Sequence, residues 1–156
     1  MVLLASDLER VVGRGLSKGL LKVVSTGFLV EEGTALMWRG LMLAKAVEQF
    51  LHDVEWGELD YLFIDMPPGT GDVQLSLSQM VPVTGAILVS TPQEVSMQDV
   101  RKAYAMFDKV RIPIIGVVEN MSYFQPEDSD RKYFIFGEGG GKILAKKFNT
   151  ELLAQI

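Results

Sequence analysis

Asp65 closes the apolar run Leu62-Phe63-Ile64 and opens the loop Met66-Pro67-Pro68-Gly69-Thr70-Gly71-Asp72. The carboxyl ends of strands are where open α/β sheets bind ligands. A carboxylate placed there holds magnesium, directly or through water. The alternative is an aspartate that caps a helix or a turn. The loop favours the ligand reading, because its two glycines permit close approach of backbone to a bound group. Gly69, Thr70 and Gly71 are spaced to aim backbone N–H groups at a terminal phosphate, with Pro67 and Pro68 stiffening the approach. Asp72 either orients a water or caps the next helix. Asn120, at the end of IIGVVEN, has an amide able to donate to and accept from an adenine edge; its alternative is a strand-end turn. Gln93 follows GAILVS in a similar way. A second glycine-rich stretch, Gly13 to Gly19, lacks a convincing preceding strand and the GKS or GKT ending of a phosphate loop, and reads as a connector.

The elements that must position these residues follow from apolar periodicity. Residues 1–20 are irregular or a short helix. Residues 21–30 read as a strand and a turn, and 38–51 as a helix with Trp38, Leu41, Met42, Ala46, Val47, Phe50 and Leu51 on one face. Trp38 and Arg39 are a core anchor with a surface arginine, or part of a dimer surface. His52 ends the helix. The LFI run, GAILVS (85–90) and IIGVVEN (114–120) read as buried strands, apolar enough for a parallel sheet covered on both faces. A short helix is expected over 73–80. A longer one runs through 97–108 with Val100, Ala103, Tyr104 and Phe107 inward, its start marked by Thr91 as cap, Pro92 as first residue and Glu94 closing a capping box. Met97, Met106 and Met121 read as core filler. SYFQPEDSDRKYF is an exposed excursion, IFGEGGGKILAKKF enters a helix through glycines, and LLAQI begins another strand. Alternation of strand and helix gives the fold class: α/β, a mostly parallel sheet with helices on both faces.

Bulk composition narrows the chemistry. Hydrophobic residues are 48% of 156, enough for a core. The net charge of -5 disfavours a nucleic-acid partner gripped by its phosphates, while leaving open a nucleotide site built from backbone amides and one lysine. With no cysteine and one histidine, the chain by itself offers no disulfide, no thiolate iron–sulfur site and no self-contained zinc site. No run of apolar residues is long enough for a membrane span, and the first residues lack a secretory layout, so a cytoplasmic location is expected.

Five phrases arrive in order: GFLVEEGTALMWRG (27–40), IDMPPGTGDVQLSLSQ (64–79), STPQEVSMQDVRKAYAMF (90–107), GVVENMSYF (116–124) and IFGEGGGKILA (135–145). Together they closely resemble the Mrp family of P-loop ATPases, iron–sulfur cluster carrier and assembly proteins related to MinD and the nitrogenase iron protein. The resemblance covers residues 21–156, an incomplete P-loop NTPase-like nucleotide-binding domain. It implies a dimer that binds ATP and magnesium at or near the subunit interface. Asp65 then resembles the Walker B aspartate, Gly69 to Asp72 the switch that senses the γ-phosphate, and Asn120 the adenine contact. Gln93 and Glu94 border the pocket.

Two departures set expectations apart from the family pattern. The family's opening strand and GKGGVGK-type loop have no counterpart in this sequence, and the match begins after them. Without that loop the phosphate-neutralising lysines and the magnesium-binding hydroxyl are missing, and ATP hydrolysis is expected to be impaired. A strand from residues 1–20, a second copy or another partner is expected to fill the sheet between 62–64 and 86–89, and the carboxyl end reads as clipped. After the NMSYF-like phrase many members carry Cys-Pro-x-Cys, which holds a [4Fe–4S] cluster between subunits. Here Gln125-Pro126-Glu127-Asp128 follows, and carboxylates are poor substitutes for soft thiolates. The leading expectation is an Mrp-like ATP-binding protein of iron–sulfur cluster assembly or transfer, with iron–sulfur client proteins as partners. One alternative is a catalytically inert interaction or dimerisation module of the same descent. The other is a partition- or division-type ATPase, which the TPQEVSMQD and NMSYF phrases and the lack of a basic amphipathic tail disfavour.

Overall fold

A computed structural model describes residues 22–25, 40–66 and 72–156. The chain divides into two compact units, Met1–Asp65 and Met66–Ile156. The proposed connector at 13–19, Trp38, Arg39 and the Gly69–Gly71 turn lie outside the described residues, as does most of the strand expected over 21–30.

In the first unit, helix α1 spans Gly40–His52, with Ala44 and Ala46 buried. The Trp56 indole N–H donates to the Phe50 carbonyl at 2.8 Å, giving a partner to one of the carbonyls that a helix end leaves bare. The Lys22 ammonium donates to the Trp56 carbonyl. The buried strand expected at 62–64 is not formed. Residues 61–66 are in no strand, and Tyr61 and Phe63 are 79% and 81% exposed. Their rings stack at 6.2 Å, as side chains two apart on an extended chain do. Apolarity favours a strand here, but a strand exists through its ladder, and among the described residues nothing pairs with 62–64.

The second unit holds helix α2 (Asp72–Met80), strand β1 (Ala86–Ser90), helix α3 (Glu94–Lys109), strand β2 (Ile114–Glu119), helix α4 (Gly140–Lys147) and strand β3 (Glu151–Gln155). The strands form a parallel sheet in the order β1-β2-β3, the α/β pattern read from the sequence. Among the described residues, neither a strand from elsewhere in the chain nor any other segment extends this sheet beyond β1. Helices α3 and α4 pack on one face of the sheet and touch each other. Leu88, Val117, Met97, Val100, Leu144, Ala145 and Phe148 form the core between them, and Tyr104 stacks on Phe148 at 4.0 Å. The inward positions of α3 read from the sequence are the ones that pack there: Val100 is buried, and Ala103, Tyr104 and Phe107 lie against the cluster. Alternation along the strands turns Ile87, Val89, Ile115 and Leu153 outward on the opposite face.

The start of α3 differs from its expected capping box. The helix begins at Glu94 and its cap is Gln93, whose side chain makes no cap bond. With the cap at 93, Glu94 is the first helical residue rather than the third, so it cannot reach back; it pairs with Arg101 at 2.6 Å instead. Ser96 takes the local work, its hydroxyl accepting the Thr91 N–H at 3.1 Å. Met121 also departs from the core reading: it is 52% exposed, because the chain turns through a positive φ of 54° there as it leaves β2.

Candidate functional site

Parallel strands bring all their carboxyl ends to one edge. In the second unit that rim consists of Ser90 to Gln93 after β1, Asn120 to Ser122 after β2, the glycines that open α4, and Gln155-Ile156 at the end of β3. Main-chain bonds sew it together. The Asn120 N–H donates to the Ser90 carbonyl at 2.8 Å, the Ile156 N–H to the Glu119 carbonyl at 2.9 Å, and the Ser122 N–H to the Ile156 carbonyl at 2.7 Å.

Asn120 and Gln93 therefore share this rim, and both are exposed. The Asn120 side-chain oxygen accepts the Met121 N–H at 2.9 Å, in the strand-end turn that is the alternative reading of this residue. Asp72 is the first residue of α2. Asp65 is exposed at the end of the first unit. Gly69, Thr70 and Gly71 lie outside the described residues.

The residue that organises the rim is Glu119, which the sequence reading passed over in favour of its neighbour. Alternation places Val117 and Glu119 on the helix-covered face, at 0% and 1% exposure. Burying a carboxylate is costly unless donors surround it, and three do. The Gly141 N–H, in the first turn of α4, donates to Oε2 at 2.5 Å. Gln155 Nε2 and the Ser122 hydroxyl donate to Oε1 at 2.7 and 2.9 Å. Burial pushes the Glu119 carboxyl up, but these three donors, with Lys142 nearby, outweigh it and hold the group below the ordinary carboxylate value. The anionic side chain also sits at the positive end of α4, where it is stabilised by the helix dipole.

Glycine makes this approach possible. A Cβ on Gly141 would stand 2.8 Å from Glu119 Cβ, and one on Gly140 would stand 2.8 Å from Pro92 Cα and from the Pro92 carbonyl oxygen. The GEGGG run thus serves as a seat for the β1–α3 turn and for Glu119. A signal for Glu119 did exist: an acid as the sixth residue of an otherwise apolar strand, followed by a glycine run that opens a helix.

The excursion after β2 is closed by an antiparallel bridge between Phe124 and Tyr133, whose main-chain groups exchange two bonds of 2.8 Å. Lys132 Nζ lies 3.7 Å from the Tyr123 ring centroid. Gln125 to Asp128, in the place of the Cys-Pro-x-Cys pattern, form the tip of this arm, where Gln125 Nε2 donates to the Ser129 carbonyl at 3.2 Å. Among the described residues no three His, Cys, Asp or Glu side chains gather as a metal site. No described helix is long and apolar enough to cross a membrane.

Comparison with known proteins gives a consistent picture. A family model named ParA, described as NUBPL iron-transfer P-loop NTPase, matches residues 12–156. The iron-sulfur cluster transfer protein NUBPL of Mus musculus is 50% identical over 133 residues, which are 85% of this chain and 42% of that protein. The iron-sulfur cluster carrier protein of a Synechocystis strain is 50% identical over 147 residues, 94% of this chain and 40% of that protein. The chain thus spans about two fifths of the length of these relatives. A solved nucleotide-binding protein from Archaeoglobus fulgidus, in complex with ADP, superposes with a TM-score of 0.68 at 41% identity, covering 86% of this chain and 51% of that one.

Proposed function

Because the chain belongs to the NUBPL iron-transfer P-loop NTPase family, we propose that it supplies the base-binding rim and the magnesium aspartate of an ATP-dependent iron–sulfur cluster carrier. The observation that carries this reading is the exposed Asn120 amide, pinned at the carboxyl end of β2 by its N–H bond to Ser90. The ADP held by the solved relative supports it. The donor set fits the nucleotide. Asn120 offers an amide to the adenine edge, with Gln93 bordering the base. Gly69 to Gly71 are suited by type to a terminal phosphate, and Asp72 to a water or to the helix cap. Asp65 offers one carboxylate to magnesium, which commonly takes one or two carboxylates and completes its shell with phosphate and water. The bound nucleotide would supply the switch, and its hydrolysis would be in-line attack of water on the γ-phosphate.

The cluster is cargo, and this chain has no cysteine to hold it. Its thiolate ligands would lie outside these 156 residues. A homodimer, or a partner that completes the sheet beyond β1, fits the family reading. Calorimetric titration with ATP, with and without magnesium, tests the proposal. Magnesium-dependent binding at one site per chain is expected. Absence of binding by the folded chain would leave the second reading, an inert interaction module, which the exposed Met121, Phe124 and Ile135 of the arm favour.

A further inference from the structure

The rim carries one buried ionisable group for which nucleotide binding has no direct use. Glu119 is 1% exposed, so its carboxylate is not available to a ligand. Every partner of that carboxylate nevertheless belongs to the rim. Oε2 takes the Gly141 N–H of α4, and Oε1 takes Gln155 of β3 and Ser122 of the turn after β2. The Ser122 hydroxyl also lies 2.8 Å from the Glu119 carbonyl oxygen. That hydroxyl has one proton to give, so the two acceptors share it and the turn is drawn closed around Asn120 and Met121.

Resting on the adenine-rim reading, we propose that Glu119 is a positioning residue for the base-binding end of the site. Its carboxylate locks the turn that presents Asn120 to the first turn of α4 and to the end of β3. It acts through Asn120 and never touches the ligand. Three features converge on this role. The sheet register sets Ser90, Glu119 and Gln155 side by side as its last row. The Asn120 N–H bonds to the carbonyl of that same Ser90. Gly141 has no Cβ at the one place where it would collide with Glu119. The same arrangement also assigns the GEGGGK run. The first-turn N–H at Gly141 is already taken by the chain's own carboxylate, so this helix start acts as an internal clamp.

All three partners of the carboxylate are donors, which makes Glu119→Gln informative. The amide keeps the shape but presents its own N–H₂ group where an acceptor is needed. One accommodation exists: Gln155 flips so that its oxygen accepts, and the Ser122 hydroxyl turns from donor to acceptor, keeping its own proton for the backbone carbonyl at position 119, so the turn is held without the charge-assisted bonds that lock it. The test is calorimetric titration of the purified chain, in magnesium, with ATP and separately with inorganic tripolyphosphate. Wild type and E119Q are compared after circular dichroism shows both folded. A base-positioning role predicts that E119Q weakens ATP by roughly five- to tenfold, the worth of one well-placed hydrogen bond, and changes tripolyphosphate by less than about twofold. Adding Asn120→Ala to E119Q should then cost nothing more, because both changes act on one contact. Equal losses for both ligands, or no loss for either, overturn the positioning role while leaving nucleotide binding standing. A folded wild-type chain that binds neither ligand overturns the nucleotide reading and the positioning role together. If E119Q does not fold, Ser122→Ala, which spares the bonds to Gly141 and Gln155, is read by the same pair of titrations, with a loss of about threefold expected for ATP alone.

Discussion

Glu119 and Gly141, twenty-two residues apart, meet with a carboxylate oxygen 2.5 Å from a backbone nitrogen. The contact fastens the first turn of α4 to the end of β2, and it survives because Gly141 has no side chain. Gly141→Ala would bring a Cβ to 2.8 Å from Glu119 Cβ and 2.9 Å from Leu152 Cδ1. The nearer atom is close to the backbone and cannot swing away. A loss of about 1–3 kcal/mol is expected, the usual range for overpacking, read as a lower urea midpoint at unchanged slope. Gly139→Ala separates crowding from backbone strain, since that position is open but has φ +80°.

Acid should loosen the same contact. The folded carboxyl titrates below its ordinary value, so at low pH the unfolded chain binds more protons than the folded one. Stability therefore rises with pH in that range. The contribution of Glu119 is fully present above the ordinary glutamate value of about 4.3 and is lost as pH falls through the folded value. Urea unfolding between about pH 3 and about pH 6 should show this slope in wild type and a flatter one in E119Q.

The two proposed nucleotide contacts should respond to different changes. Asn120→Ala removes the base contact, so ATP affinity falls by roughly five- to tenfold whether or not magnesium is present. Asp65→Asn removes the metal carboxylate, so the difference between titrations with and without magnesium disappears. Identical magnesium dependence in Asp65→Asn and wild type would show that Asp65 is not the ligand.

Chemical reconstitution with iron and sulfide should leave the isolated chain without a thiolate-ligated cluster, because none of its 156 residues is cysteine. Visible charge-transfer absorption that persists after desalting would contradict this. Addition of a cysteine-bearing client is the condition under which absorption is expected.

The core is best probed at Leu144, which is fully buried against Val117, Met97 and Phe148. Leu144→Ala should cost about 2–5 kcal/mol and lower the urea midpoint accordingly. If α4 is a clamp for the rim, the same variant also weakens ATP binding before the fold is lost.

The sequence by itself determined the kind of protein and most of its elements. Apolar runs with flanking turn residues located β1 and β2, period marked the inward face of α3 at Val100, Ala103, Tyr104 and Phe107, and the five ordered phrases pointed to the family later matched over residues 12–156. These signals are local, so they are written in neighbouring residues. Tertiary structure decided what depends on partners distant in the chain. The run at 62–64 has strand composition, yet it forms no ladder among the described residues, since a ladder needs a second strand. The Thr91–Glu94 spacing spells a capping box, yet Arg101 takes Glu94 and the helix starts two residues later than the spacing suggests. Glu119 reads as a polar end to an apolar strand. It becomes the centre of the rim through Ser122, Gly141 and Gln155, two of them more than twenty residues away. A buried charge is tolerated only where donors converge, and convergence is a property of the folded chain.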